Sequence, residues 1–236
     1  LNAIVIFMKN PQPGRVKTRL TPWLSPEEAA ELYRAFIQDT VALTARVPDA
    51  RRSVAFTPPD ALVPLQALLD DTGLGWFPQC GGTLGERLRH AFRAAFHEGV
   101  DRVVTIGSDS PTLPPDHIVR AFEALKRADA VLGPATDGGY YLIGLARRDG
   151  TLERFDPLFE DIAWSTDRVY TQTVEALTRS GLAWAGLPVW TDADQPEDLV
   201  RIAGQIRALR RRGEQELCRH TARMLKALQP KLGQMP

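Results

Sequence analysis

Hydrophobic residues along this chain alternate between two patterns. Short apolar runs recur at residues 3–8, 52–57, 75–79, 102–107, 130–133, 140–145 and 182–189, and each reads as a β-strand. The run at 102–107 is apolar on both faces apart from Thr105, as expected of a strand covered on both sides of a parallel sheet. Between the runs, apolar residues return at helical spacing. Leu32, Phe36, Ile37, Thr40, Val41 and Leu43 share one face, as do Leu84, Leu88, Phe92 and Phe96. Ile118, Val119, Phe122 and Leu125 form a third face, and Leu199, Ile202, Ile206 and Leu209 a fourth. Helix starts are written locally. Ser25-Pro26-Glu27-Glu28 and Thr83-Leu84-Gly85-Glu86 are capping-box sequences, and Asp194 with Glu197 reads as a third. Further helices are expected at 59–71, 114–127, 165–179, 196–211 and 214–228.

Strand–helix alternation predicts an α/β fold: a single domain with a mostly parallel sheet flanked by helices. No linker and no repeat divides the chain, so one domain over residues 1–212 is expected, with a helical extension over 213–236. Arg210-Arg211-Arg212 reads as a solvated helix end, where cations are favoured. Lys plus Arg and Asp plus Glu number 29 each, a formal net charge of +0. That balance argues against a protein that coats nucleic acid. No apolar run is long enough to cross a bilayer, and residues 1–8 read as a strand and not as a leader, so a cytoplasmic protein is expected. Cys80 and Cys218 form no paired motif. His90, His97, His117 and His220 lack metal-ligand spacing and are expected on solvated or half-buried faces. The oligomeric state is left open.

In an open parallel sheet, ligands bind beyond the carboxyl ends of the strands. Four loops leave predicted strands or lead into the last sheet helix. The first, residues 9–20, carries Lys9, Arg15, Lys17 and Arg19 around a Pro13-Gly14 turn. It suits nucleotide phosphates, although it is neither a Rossmann fingerprint nor a P-loop; the alternative is a basic surface turn. The second, Gly107-Ser108-Asp109-Ser110-Pro111, offers a carboxylate for Mg²⁺ or Mn²⁺, or a turn before proline. The third, Asp137-Gly138-Gly139-Tyr140-Tyr141, lets backbone approach a ligand, with Asp137 as a hydroxyl partner or general base. Its alternative is a plain β-turn. The fourth places Asp192 and Asp194 where, with Asp109, they could complete a divalent-metal site. Trp164 reads as pocket lining or core. Hydrolase and protease motifs are absent.

These loops, in this order, resemble the nucleotide-diphospho-sugar transferase superfamily of GT-A fold. The matching pieces are Phe7-Met8-Lys9 through Val16-Lys17-Thr18-Arg19-Leu20, Leu84-Gly85-Glu86-Arg87, Gly107-Ser108-Asp109-Ser110-Pro111, the run from Asp137 to Gly144, and Asp192-Ala193-Asp194 with Pro196-Glu197-Asp198-Leu199. Within the superfamily the chain is most similar to small bacterial GT-A-like transferases associated with radical-SAM gene neighbourhoods and arsenosugar biosynthesis. Lys17-Thr18-Arg19-Leu20 also looks like the start of 2-phospho-lactate guanylyltransferase.

The resemblance implies a nucleotide or nucleotide-sugar donor, a small-molecule acceptor and a divalent cation, Mg²⁺ or Mn²⁺. It carries metal binding to Asp109, with Asp192 or Asp194 as second ligand, and nucleotide binding to Arg15, Lys17 and Arg19, in a loop that also includes Lys9 and Gly14. Gly138, Gly139, Tyr140 and Trp164 are the expected substrate contacts. Two departures stand out: the usual D-x-D is reduced to Gly107-Ser108-Asp109, and Thr83 replaces an acidic residue. A glycosyltransferase using a nucleotide-sugar is the leading expectation, with Asp137 as base. A nucleotidyltransferase releasing pyrophosphate and a non-catalytic nucleotide binder are the alternatives.

Overall fold

The computed structural model describes residues 1–69, 73–148 and 152–232. In chain order the elements are β1 (Asn2–Lys9), α1 (Pro26–Thr44), β2 (Ala50–Thr57), α2 (Leu62–Leu68), β3 (Leu74–Pro78), α3 (Leu84–His97), β4 (Arg102–Gly107), α4 (Pro115–Ala124), β5 (Ala130–Pro134), β6 (Tyr140–Ala146), α5 (Leu152–Phe155), α6 (Val169–Arg179), β7 (Trp184–Gly186), α7 (Pro196–Arg211) and α8 (Arg219–Leu232). Single 3-10 turns occur at Thr18–Leu20, Pro59–Ala61 and Asp156–Phe159.

Seven strands form one sheet in the order β3-β2-β1-β4-β6-β5-β7. Every pairing is parallel except those of β6, which runs antiparallel to both β4 and β5. The β1 side chains alternate between the two faces, as strand geometry requires. Ile4, Ile6 and Met8 enter a core covered by α1, α4, α7 and α8. Ala3 and Val5 enter the opposite core, with Leu88, Phe92 and Phe96 of α3 and with Ala176 and Leu177 of α6. Removing a buried side chain of this kind, as in Ile6→Ala, costs about 2–5 kcal/mol.

The Ser25/Glu28 and Thr83/Glu86 boxes form as read, each with both reciprocal hydrogen bonds. The third box is shifted by one residue. Gln195 is the N-cap of α7, and Asp198 Oδ2 accepts from the backbone N–H of Asp194 and of Gln195. That shift leaves the Asp194 side chain free of capping. Other elements are shorter than their patterns. The run at 182–189 yields only Trp184–Gly186, and the helix expected at 165–179 begins at Val169. The stretch at 59–71 is a 3-10 turn followed by α2, which ends at Leu68; its last expected residues fall outside the described ones. His117 is buried and not solvated, its Nδ1 3.0 Å from the hydroxyl of Tyr141.

The helix α8 packs its Leu225 and Leu228 into the same core as α1. Its first turn is capped across the molecule: Asp39 on α1 accepts from the backbone N–H of His220 at 3.1 Å and of Thr221 at 2.6 Å. No helix among the described residues is long and apolar enough to cross a membrane.

Candidate active site

The strand order places β1 and β4 side by side at the middle of the sheet, while β2 and β3 build outward from β1 and β6, β5 and β7 outward from β4. The direction in which strands are added therefore reverses between the parallel pair β1 and β4, the position where open α/β sheets leave a crevice at the carboxyl ends. A cleft of about 520 Å³ lies there. It is lined by the ends of β1 and β4, the loop from Arg15 to Arg19, the first turns of α3, and Tyr140, Tyr141, Ser165 and Asp194.

Lys17 is at the centre of the cleft. Its backbone is left-handed at φ 49° and ψ 38°, just before the 3-10 turn that buries Leu20. This conformation swings the side chain inward, where only 4% of it remains exposed. The ammonium has three N–H donors, and three acceptors surround it. They are the carbonyl of Ala193 at 2.7 Å, Asp194 Oδ1 at 3.0 Å and the carboxylate of Asp109 in direct contact. It also lies 5.7 Å from the ring centres of Tyr33 and Phe36, within range of a cation–π attraction. Burial alone would lower the Lys17 pKa, but the two carboxylates outweigh it and hold the group above its ordinary value. Arg19 Nη1 reaches the other oxygen of Asp194 at 3.3 Å. Burial pushes Asp194 up, yet Lys17 and Arg19 bring it below the usual carboxylate range.

The two acidic loops are tied together by backbone, since Ala193 N–H donates to the Asp109 carbonyl at 2.9 Å. Tyr33 supports this assembly from α1. Its hydroxyl accepts from Lys9 N–H at 3.1 Å and lies 2.7 Å from Ser108 Oγ. Burial and the Asp109 carboxylate push its phenol up to about 12.

Asp192 is half-buried near three other carboxylates. Its carboxyl is pushed up to about 7, first by burial and then by Asp137, Asp194 and Asp109. Crowded hard oxygen donors of this kind match the chemistry of Mg²⁺ or Mn²⁺, so Asp109, Asp192 and Asp194 fit a divalent cation by donor type. As arranged, however, no group of three or more His, Cys, Asp or Glu among the described residues is close enough to hold an ion. Lys17 sits between two of the three.

The remaining predicted residues divide into two groups. Lys9, Arg15, Lys17, Arg19, Asp109, Tyr140 and Asp194 line the cleft. Gly14, Asp137, Gly138, Gly139, Trp164 and Asp192 are not among its lining residues. Asp137 is exposed, and its Oδ1 accepts from Gly139 N–H at 2.8 Å, so it shapes its own turn. Gly138 has φ +87°, and a Cβ there would meet the Asp167 carbonyl at 2.2 Å. Chain packing thus requires this glycine. Trp164 lies against Gly85 at the start of α3 and meets Tyr140 edge-on, with ring centres 6.5 Å apart. Sequence reading missed Tyr33 and Gln79, and gave no role to Ser108 and Arg87 although both lie in motifs it singled out. Arg87 Nη1 lies 3.4 Å from Gln79 Oε1, and Gln79 Nε2 donates to the Ala55 carbonyl at 2.8 Å, so a cation and an amide are fixed in the cleft lining. A tyrosine on the apolar face of α1, which needs a partner for its hydroxyl, was the available signal for Tyr33.

Comparison with known proteins agrees with this architecture. Residues 40–166 match the family described as "Uncharacterized protein conserved in bacteria (DUF2064)", and the chain belongs to that family. A protein of Desulfovibrio desulfuricans G20, provisionally named a nucleotide-diphospho-sugar transferase, is 36% identical. Its crystal structure superposes with a TM-score of 0.86, over 99% of this chain and 97% of that one. A 2-phospho-L-lactate guanylyltransferase of Methanopyrus kandleri is 36% identical over 98 residues, which is 41% of this chain and 47% of the relative. The match thus spans about half the length of that curated relative. A nucleotidyl transferase from Methanothermobacter shares the fold at TM-score 0.59 and 14% identity, over 88% of this chain and 99% of its own. Family and fold together put the chain in the superfamily that holds nucleotidyltransferases and nucleotide-sugar transferases.

Proposed function

We propose that this protein is a nucleotidyltransferase that joins a nucleoside monophosphate, taken from a nucleoside triphosphate, to an anionic small molecule. The observation that carries the reading is the lining of the cleft. Lys9, Arg15, Lys17, Arg19 and Arg87 surround it. Among the described residues that line it, the only carboxylates are Asp109 and Asp194, both paired with Lys17, and there is no histidine. Such a cleft offers cations for phosphates and no free base.

Transfer to a phosphate or carboxylate acceptor needs no base, because the attacking oxygen is already ionised near neutral pH. That oxygen bonds to the α-phosphorus as the bond from the α-phosphorus to the bridging oxygen breaks. The electron pair leaves on pyrophosphate. Arg15, Lys17 and Arg19 would hold the triphosphate and offset the charge that develops on the leaving group, the electrostatic effect that dominates phosphoryl-type transfers. Asp109 with Asp192 or Asp194 would hold Mg²⁺ or Mn²⁺, which would supply further charge neutralisation. Arg87 and Gln79 also line the cleft and would contact another part of the nucleotide. The likeness to the guanylyltransferase supports this reading.

Glycosyl transfer from a nucleotide-sugar is the second reading, favoured by the 36% identity to the Desulfovibrio protein across nearly both chains. Attack by an acceptor hydroxyl then requires a base, and Asp137 is the candidate carboxylate. Incubation with labelled nucleoside triphosphates and phosphorylated acceptors, and separately with nucleotide-sugars, distinguishes the two. Pyrophosphate release is expected. Release of a nucleoside diphosphate from a nucleotide-sugar, without pyrophosphate from any triphosphate, would overturn the proposal.

A further inference from the structure

We propose that Arg87 reads the base of the nucleotide and selects guanine, its guanidinium fork donating to O6 and N7 while the apolar side chain of Leu84 lies against the ring. This rests on the nucleotide-transferase reading and adds the identity of the base to it. Leu84, Arg87 and Leu88 are spaced three and four residues apart, so they share one face of α3. All three line the cleft. Leu84 is 43% exposed, a large apolar side chain that the fold leaves uncovered there. Apolar surface beside a cation suits a flat heteroaromatic ring better than a phosphate, because a charged group is costly to hold against hydrocarbon. The phosphates then fall to Arg15, Lys17 and Arg19 of the same cleft.

The Arg87 guanidinium is held by neutral oxygens. Its Nε donates to the Gly82 carbonyl at 3.1 Å, and its Nη1 lies 3.4 Å from Gln79 Oε1. Gln79 is fixed in turn, with Nε2 donating to the Ala55 carbonyl of β2 at 2.8 Å and to the Met8 carbonyl of β1 at 3.4 Å. No carboxylate pairs with Arg87 among the described residues, whereas Arg89 and Arg93 of the same helix pair with Glu160 and Asp156. A guanidinium has five N–H donors, and these two bonds leave three of them on Nη1 and Nη2. Both Gln79 amide donors are spent on main-chain carbonyls, and its oxygen is spent on Arg87. Arg87 therefore presents a fixed pair of donors to the cleft. Guanine carries two adjacent acceptors, O6 and N7, which match an arginine fork. Adenine places its 6-amino donor next to N7, and the pyrimidines offer at most one acceptor on the corresponding edge.

Calorimetry with GTP, ATP, CTP and UTP tests the assignment. The wild-type chain is expected to bind GTP at least about tenfold more tightly than each of the others, the scale of one bidentate pair. 7-Deaza-GTP lacks N7 and should bind at least about threefold more weakly than GTP, the worth of one hydrogen bond. ITP keeps O6 and N7 and should bind like GTP. Arg87→Lys keeps the charge and loses the fork. It should bring GTP down to the affinity of ATP, while ATP, CTP and UTP stay within about threefold of their wild-type affinities. Equal weakening of all four nucleotides would make Arg87 a phosphate contact and overturn the proposal. A wild-type chain that prefers another base, or that binds 7-deaza-GTP as tightly as GTP, overturns it as well. The analogue comparison uses the unaltered chain, so it decides the question even if Arg87→Lys does not fold. Pyrophosphate release from ATP, CTP or UTP in preference to GTP would leave the transferase reading standing while this inference falls; binding of no nucleotide at all would end both.

Discussion

The hydroxyl of Tyr33 joins the ends of the two central strands, accepting from Lys9 N–H at the end of β1 and meeting Ser108 Oγ, just past β4, at 2.7 Å. Because it accepts from Lys9, it can donate to Ser108, and both sides of the crevice are fixed by one side chain. Tyr33→Phe removes the oxygen and leaves a buried hydroxyl without its partner. The expected cost is about 1–3 kcal/mol, the range for orphaning a buried polar group. Urea denaturation checks the magnitude. The free Asp109 loop should also raise KM for nucleotide more than a surface control such as Arg93→Ala does.

The α7 cap gives a second test. Asp198 Oδ2 accepts from two backbone N–H groups, whereas Glu197 is exposed and makes no such bond among the described contacts. Asp198→Ala should therefore lower stability by about 1 kcal/mol, as loss of an N-terminal cap typically does. Glu197→Ala should stay within about 0.5 kcal/mol, as surface changes do. Equal losses in the two variants would return the cap to the Asp194/Glu197 register.

These two cases show where sequence was informative. The strands and the first two capping boxes were legible because each is a local pattern, complete within a few residues. Asp194 and Gln195 are both followed three residues later by an acid, so spacing could not choose between them; the fold chose Asp198. Partners far apart in sequence were not legible at all. Lys17 was recognised as a phosphate-loop cation, but its grip on Asp109 and Asp194 depends on loops that only the sheet order brings together. The antiparallel β6 was hidden for a related reason: a strand buried on both faces reads as the same apolar run in either direction. Asp137 and Gly138 carried the right turn signal, and the structure gives that turn local partners in Gly139 and Asp167.

Asp39 makes a prediction about pH. Burial pushes its carboxyl up, and the hydrogen bonds from Thr221 and His220 offset only part of that rise. The folded chain therefore binds this proton more tightly than the unfolded chain does. Stability contributed at this position is then largest below the ordinary aspartate range and falls as pH rises through the raised value. Asp39→Asn cannot ionise and loses that slope. Unfolding free energies of both proteins, measured between about pH 4 and pH 7, should show the wild-type chain losing ground to Asp39→Asn as pH increases. A difference that stays constant, or that grows in favour of the wild type, would mean the carboxylate is stabilised on folding.

Asp137 separates the two chemical readings. Its Oδ1 accepts from Gly139 N–H, and an asparagine oxygen can accept the same bond, so Asp137→Asn should keep the turn intact. Under nucleotidyl transfer to an anionic acceptor no proton has to be removed from the nucleophile. The variant should then retain kcat within about threefold, a barrier change below roughly 0.7 kcal/mol. Under glycosyl transfer the same substitution removes the base, and general-base loss typically costs about 10²–10⁴ in rate. Nucleotide affinity, measured alongside, tells a lost base from a lost contact: a base affects kcat alone, whereas a ligand contact affects binding as well. We expect near-wild-type turnover with pyrophosphate as product. A collapse of kcat with unchanged nucleotide affinity would transfer the assignment to glycosyl chemistry at Asp137.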